Sequence, residues 1–178
     1  MVGYRRPWAL AGGWGLDLWL GHVTRAHASI KIAILREHQT ELREYLKEWS
    51  FKIVAVDGRM FPWKDATQML MLPVHTLHAT DRIGQTCVFT LHESDGIDWI
   101  SRDNFAVRMN LSGFITHAHA HVPVLNPLLT LLGKSHLERD KDELDFGSVV
   151  SRLNDDQRTW LKLAVVRTTP WHAWVDRL

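Results

Sequence analysis

The sequence predicts an α+β domain with a C-terminal helical portion, and three observations predict it. Short apolar runs alternate with helical periodicity through residues 8–56. The stretch 74–101 is rich in strand-like segments, and helical spacing takes over from residue 126. With 178 residues, 46% of them hydrophobic and 23% charged, the chain has enough apolar material for one globular core.

Each element follows from its residues. Trp8-Ala9-Leu10-Ala11 is an apolar run ended by Gly12-Gly13, the pattern of a buried strand and a tight turn. From Trp14 to Leu20 the apolar residues Leu16, Trp19 and Leu20 fall at helical spacing, and Gly21 stands at the helix stop. Ser29 to Leu35 alternates around Ile30, Ile32 and Ile34, which makes it a strand with Ser29, Lys31 and Ala33 on the opposite face. Arg36 to Trp49 carries Leu42, Leu46 and Trp49 on one helical stripe. Phe51 to Val56 is a strand closed by Asp57-Gly58. Val74 to Ala79, Thr86 to His92 and Ile97 to Ser101 are strands, the last two joined by the turn Glu93-Ser94-Asp95-Gly96. Asn126 to Lys134, Lys141 to Leu153 and Asp155 to Val166 are helices. The expected division is an α/β core over 1–122 and a helical portion over 123–178 packed on it as one unit.

A formal net charge of +1 gives no global field for nucleic acid or an anionic membrane. No apolar run approaches the roughly 20 residues that span a bilayer. The single cysteine, Cys87, cannot form an internal disulfide, and Met1 to Pro7 show no signal-peptide pattern, so a cytoplasmic setting is expected. The nine tryptophans are expected mainly in the core and in pocket walls.

The most informative stretch is Trp8 to Leu35. Two glycines after a strand let backbone N–H groups approach a ligand, and a helix starting there presents its positive end to phosphate. Here they belong to a longer string: Gly12-Gly13-Trp14-Gly15-Leu16-Asp17, Leu20-Gly21, Thr24-Arg25-Ala26-His27, then an Ile-rich strand. This string resembles the start of the nucleotidyltransferases that inactivate aminoglycoside and lincosamide antibiotics. Trp63, Pro73-Val74-His75, Trp99, Arg102-Asp103 and the run Arg139 to Phe146 are similar to segments of a bacterial branch of that superfamily. The resemblance implies the polymerase-β-like nucleotidyltransferase fold, a mixed sheet with flanking helices and a helical cap.

It also implies transfer of a nucleoside monophosphate to a substrate hydroxyl, with two magnesium ions held by an Asp-x-Asp pair on one strand face. At that place the sequence reads Ser29-Ile30-Lys31. A serine offers one neutral oxygen, and a lysine brings positive charge where a dication should sit. For unit charges at 4 Å the repulsion is roughly 4 kcal/mol at an effective dielectric near 20. The strand expected to supply the third carboxylate, Thr86 to His92, holds no acid, with Val88 or Thr90 at the position. Pro127-Leu128 stands where the family often has Pro-Glu. No metal and no cofactor are therefore expected.

What remains in the expected pocket is polar. Asp17, His27 and Lys31 are the candidate catalytic residues, with Asp17 and His27 as an acid–base or orienting pair and Lys31 in the vacated cation volume. Asp17 capping the loop or pairing with Arg25 is the structural alternative. Gly12, Gly13, Trp14, Thr24, Arg25, Ser29 and Lys134 are the candidate ligand-binding residues. Lys31 is expected to point with Ser29 toward the glycine turn, with Asp17 or a ligand anion in reach, while Ile30 and Ile32 enter the core. Lys134, Arg139 and Lys141 resemble the basic residues that meet the triphosphate in relatives, and Asp142 and Asp145 read as ion-pair partners. His117, His119 and His121 would share one strand face, but they span about 13 Å, so two plus a remote ligand is the most they offer a metal.

The reading that follows is a repurposed nucleotidyltransferase fold. It would bind a small natural-product-type molecule or act on it without metal, by acid–base catalysis of a rearrangement, cyclisation or elimination in a Trp-lined pocket. The alternatives are metal-dependent nucleotidyl transfer to a small-molecule hydroxyl, and a non-catalytic binding or regulatory subunit. The expected partner is a small molecule, not nucleic acid or membrane, and the oligomeric state stays open.

Overall fold

The computed structural model describes residues 1–65, 67–118, 121–137 and 139–178. The chain opens with β1 (Trp8–Ala11), turns at once into α1 (Gly12–Leu20) and returns as β2 (Lys31–Leu35). A 3-10 turn leads into α2 (Gln39–Tyr45), followed by β3 (Ser50–Val54), β4 (Met60–Pro62), β5 (Thr76–Thr80) and β6 (Thr86–Ser94). Then come β7 (Asp98–Ile100), β8 (Arg108–Asn110), β9 (Ile115–His117) and β10 (Pro123–Leu125). Three helices, α3 (Pro127–Lys134), α4 (Asp140–Val150) and α5 (Asp155–Thr168), lead to a short 3-10 turn near the end.

The strands form one mixed sheet in the order β4-β3-β5-β6-β2-β1-β10-β9, with β7 and β8 continuing from the end of β6. β2 runs parallel to β6, and β1 runs parallel to β10. Register decides which side chains share a face. Lys31, Ala33 and Leu35 lie beside Val88, Thr90 and His92, and Ala11 and Ala9 lie on their other side. That face carries a core with Leu16 of α1, Leu129 of α3, Phe146 of α4 and Leu161 of α5. The opposite face packs Ile32, Ile34, Phe89 and Leu91 with Leu42 of α2, Phe51 and Trp63. The sheet therefore has helices on both faces, α+β in class, and the C-terminal helices pack on the Lys31 face.

Several expectations change. β2 begins at Lys31, not at Ser29, because β1 ends opposite it at Ala11 and turns away into α1. Ser29 and Ile30 thus have no strand on the β1 side. Ile30 is 48% exposed and does not enter the core, although its carbonyl still accepts from Val88 N–H at 2.9 Å. The expected helix 36–49 is a 3-10 turn and the two turns of α2, stopped where Leu46 leaves helical backbone at φ −107° and ψ 37°. β4, β8 and β10 were not expected, since three residues are too few to display a period. β10 pairs with β1 inside the sheet, so the sheet continues past residue 122. The helical portion starts at α3, where the Asn126 side chain caps Leu128 N–H at 2.9 Å. Among the described residues no helix is long and apolar enough to cross a membrane.

Candidate functional site

The loop between α1 and β2 is held by a buried carboxylate. Asp17 is 3% exposed; its Oδ1 accepts from Thr24 Oγ1 at 2.6 Å and its Oδ2 lies 2.5 Å from His27 Nε2. A carboxylate accepts only, so Nε2 carries the proton it shares. Trp14 lies against the His27 ring, 4.9 Å between centroids. The ring fills the space a side chain at position 13 would need, since a Cβ at Gly13 would stand 2.1 Å from His27 Nδ1. Gly13 is thus required by close packing of the protein's own histidine.

Arg25 does not pair with Asp17. Its Nε and Nη2 donate to Asp145 of α4 at 2.8 and 2.7 Å. Lys134 Nζ lies 2.7 Å from the same carboxylate and 2.8 Å from Asp142, which also accepts from Arg139 Nε at 2.7 Å. Burial pushes the Asp142 and Asp145 carboxyls up, but the surrounding cations outweigh it and hold both below the usual carboxylate range. The hydrogen bond to Asp145 raises Arg25 above its ordinary value. This chain of ion pairs ties the α1–β2 loop to α3 and α4.

Beside it a cavity of about 310 Å³ opens between the sheet and α3. Its floor is Ala11, Gly12, Lys31, Thr76 and Thr90, and its apolar wall is Leu125, Leu129 and Leu137. Lys31, Arg102, Lys134 and Arg139 line it, and among the described residues no carboxylate does. The Lys31 stem crosses Gly12, where φ is +67° and a Cβ would stand 3.1 Å from Lys31 Cδ. Burial, then the charges of Lys134, Arg139 and Lys141, push the Lys31 pKa below its ordinary value, with Asp142 opposing. Among the described residues no ion pair engages Lys31. His75 and His92 complete the lining. His75 Nδ1 lies 2.9 Å from the Pro73 carbonyl, which makes Nδ1 the protonated nitrogen, and burial lowers its pKa.

The structure thus separates the expected site into two groups. Lys31, Gly12 and Lys134 meet at the cavity. Asp17, His27, Trp14, Thr24 and Arg25 form the clamp, whose residues are not on the cavity lining, and exposed Ser29 lies outside it as well. The expected tryptophan wall is leucine and threonine instead. Trp63, Trp99 and Trp174 are core residues. Polar residues that sequence reasoning did not place in the site are His75, Thr76, His92, Arg102, Thr130 and His136. Thr130 alone carried a signal, as a polar residue inside the run Leu128-Leu129-Thr130-Leu131-Leu132. His117 and His121 are described, but His119 lies outside the described residues.

The donor set does not suit magnesium, which takes oxygen ligands and mainly carboxylates. Asp17 is engaged by Thr24 and His27, while Asp142 and Asp145 are engaged by three cations. Among the described residues no group of three His, Cys, Asp or Glu side chains could hold a metal ion.

Comparison with known proteins gives the family context. Residues 3–81 match the aminoglycoside-2''-adenylyltransferase family model. No curated protein matches the chain in sequence. Among solved structures, the lincosamide antibiotic adenylyltransferase LnuA, lincomycin-bound, superposes with a TM-score of 0.53 at 16% identity, covering 83% of this chain and 87% of that one. ANT(2'')-Ia in complex with adenylyl-2''-tobramycin gives 0.54 at 16% identity, covering 90% and 88%. A solution structure of ANT(2'')-Ia gives 0.54 at 13% identity, covering 96% and 86%. Residues 3–81 are thus similar to the aminoglycoside-2''-adenylyltransferase family, and the chain as a whole has the fold of these nucleotidyltransferases, with Ser29 and Lys31 standing where an Asp-x-Asp pair was expected.

Proposed function

We propose that the cavity binds a small organic anion without a metal ion, on a nucleotidyltransferase scaffold put to a different use. One observation carries this reading: the Lys31 stem crosses the glycine turn into a cavity whose described lining holds three further cations and no carboxylate. A partly desolvated ammonium with no partner among the described residues favours an anion, worth roughly 4 kcal/mol for unit charges at 4 Å and an effective dielectric near 20. The Asp17–His27 pair serves by fixing the loop that delivers Lys31 to the cavity. In any turnover, Lys31 is the acid–base group, because a lowered pKa brings it nearer the range where a lysine can give and take a proton. Rearrangement, cyclisation or elimination of the bound molecule would fit such a group.

A second reading, metal-dependent nucleotidyl transfer to a small-molecule hydroxyl, is favoured by the sequence match over residues 3–81. It requires carboxylates, and none is among the described residues of the cavity lining. Thermal shift and calorimetry separate the two. Millimolar benzoate is expected to raise the Tm of the wild-type protein and leave Lys31→Met unmoved, since a ligand that binds only the folded state stabilises it. ATP titrated with and without magnesium is expected to show no metal-dependent binding. Micromolar, magnesium-dependent ATP binding would place nucleotidyl transfer first.

A further inference from the structure

We infer that the cavity is built for a carboxylate, met by Lys31 and by a Thr90 hydroxyl whose polarity a Trp99–His92 relay fixes. This rests on the anion-pocket reading above. Trp99 Nε1 lies 3.1 Å from His92 Nδ1. An indole N–H only donates, so Nδ1 accepts and carries no proton. The proton of the neutral ring is then on Nε2, which lies 3.1 Å from Thr90 Oγ1 and donates to it. Burial, with Arg102, His75 and Arg36, pushes the His92 pKa down to about 3, so the ring stays neutral through the working pH range. Having accepted from His92, Thr90 keeps its own hydroxyl proton to give. No acceptor among the described residues takes it, and Thr90 lines the cavity.

A second hydroxyl faces the same space. Thr130 of α3 is 6% exposed, lines the cavity, and its Oγ1 has no hydrogen-bond partner among the described residues. A helical threonine ordinarily returns its hydroxyl to a carbonyl one turn back. Here that bond is left unmade, and a buried hydroxyl without a partner is one a ligand oxygen would satisfy.

Charge selects the anion. Lys134 is bridged by Asp142 and Asp145, Arg139 by Asp142, and Arg102 lies 3.6 Å from Asp103. Lys31 is the lining cation that no described carboxylate engages, which matches a single negative charge better than a phosphate dianion. Leu125, Leu129 and Leu137 receive an organic body. In this scheme Lys31, Thr90 and Thr130 bind the ligand, and His92 and Trp99 are positioning residues.

Calorimetry of the full chain with sodium benzoate, phenyl phosphate and neutral benzamide tests this. Benzoate is expected to bind at least about fivefold tighter than phenyl phosphate, and benzamide not measurably. Thr90→Val, a near-isosteric change, is expected to weaken benzoate about tenfold, equivalent to about 1.4 kcal/mol. Trp99→Phe is expected to weaken it several-fold when Thr90 is present and to add nothing in the Thr90→Val background. The ring-nitrogen NMR shifts of His92 should show the Nε2–H tautomer in the wild type and a mixture in Trp99→Phe, a change that a merely structural role would not produce. Thr90→Val binding as tightly as wild type, while Lys31→Met abolishes binding, would remove the relay and leave the anion pocket standing. Phenyl phosphate binding more tightly than benzoate would overturn the carboxylate assignment. Failure of every anion to bind the wild type would overturn both.

Discussion

Lys31→Met is expected to make the unliganded protein more stable while removing its affinity for anions. Methionine keeps most of the volume along Gly12 and drops the ammonium. In the folded chain, burial and the charges of Lys134, Arg139 and Lys141 lower the Lys31 pKa, with Asp142 partly opposing. The folded value therefore lies below the unfolded one, near 10.4 for a free lysine. Between the two, the unfolded state binds more protons, so stability rises with pH through that window, and below it the charged lysine destabilises the fold. Each unit of depression corresponds to about 1.4 kcal/mol. Solvent screening of a partly exposed side chain reduces what is realised, and about 0.5–1 kcal/mol is a reasonable gain. For a chain of this size that is a Tm increase of about 1–4 °C. Differential scanning calorimetry at pH 7 and at pH 10 measures it, and the gap between variant and wild type should narrow at the higher pH. A variant less stable than wild type at pH 7, or a gap independent of pH, would refute the placement of an uncompensated cation in the cavity.

Asp145→Asn is expected to lower stability by about 3 kcal/mol, because it leaves Arg25 and Lys134 facing an amide in a buried position. Thermal melts should show a fall of roughly 6–12 °C. Because the Asp142 and Asp145 pKa values are depressed, their contribution is present above about pH 3.9 and is lost as pH falls through the folded values; acid unfolding of Asp145→Asn should accordingly be shallower than that of wild type. Gly13→Ala must displace the His27 ring, and a loss of about 1–3 kcal/mol in urea unfolding is expected. Cys87 is buried and its thiol is pushed up to about 12, so a thiol reagent should label it only on unfolding.

The long elements were legible because their periodicity was. β1, α1 and β6 appear close to where their residues place them, and the string from Gly12 to Leu35 carried the family resemblance. What the residues did not disclose was long-range pairing. Ser29 continues the Ile alternation, yet no strand stands beside it on the β1 side, because its neighbour has already become helix at Gly12. Arg25 and Asp145, 120 positions apart, meet only because α4 packs against the loop after α1. The site divided for the same reason. Spacing along the chain put Asp17, His27 and Lys31 together, while packing turned the first two inward under Trp14 and left Lys31 to face residues from β5, β6 and α3.

The glycine turn gains a different meaning from this division. Its two glycines were expected to open backbone N–H groups to a phosphate, but the space beside them holds the chain's own side chains: His27 and Arg25 at Gly13, and the Lys31 stem at Gly12. The His27 contact is a packing seat, fastened by Asp17 and Thr24. The Lys31 contact is of another kind, because it holds a lysine along a cavity floor where the charge meets other cations and finds no described carboxylate. Such an arrangement costs stability in the empty protein and is relieved only by an anion or by loss of the proton. If the cavity takes an anion as proposed, binding and protonation at Lys31 are linked: a bound anion would raise the lysine's pKa, and the affinity for it would fall as pH rises through the depressed value. On the proposed anion-binding reading, the same charge that disfavours magnesium makes occupancy of the cavity stabilising.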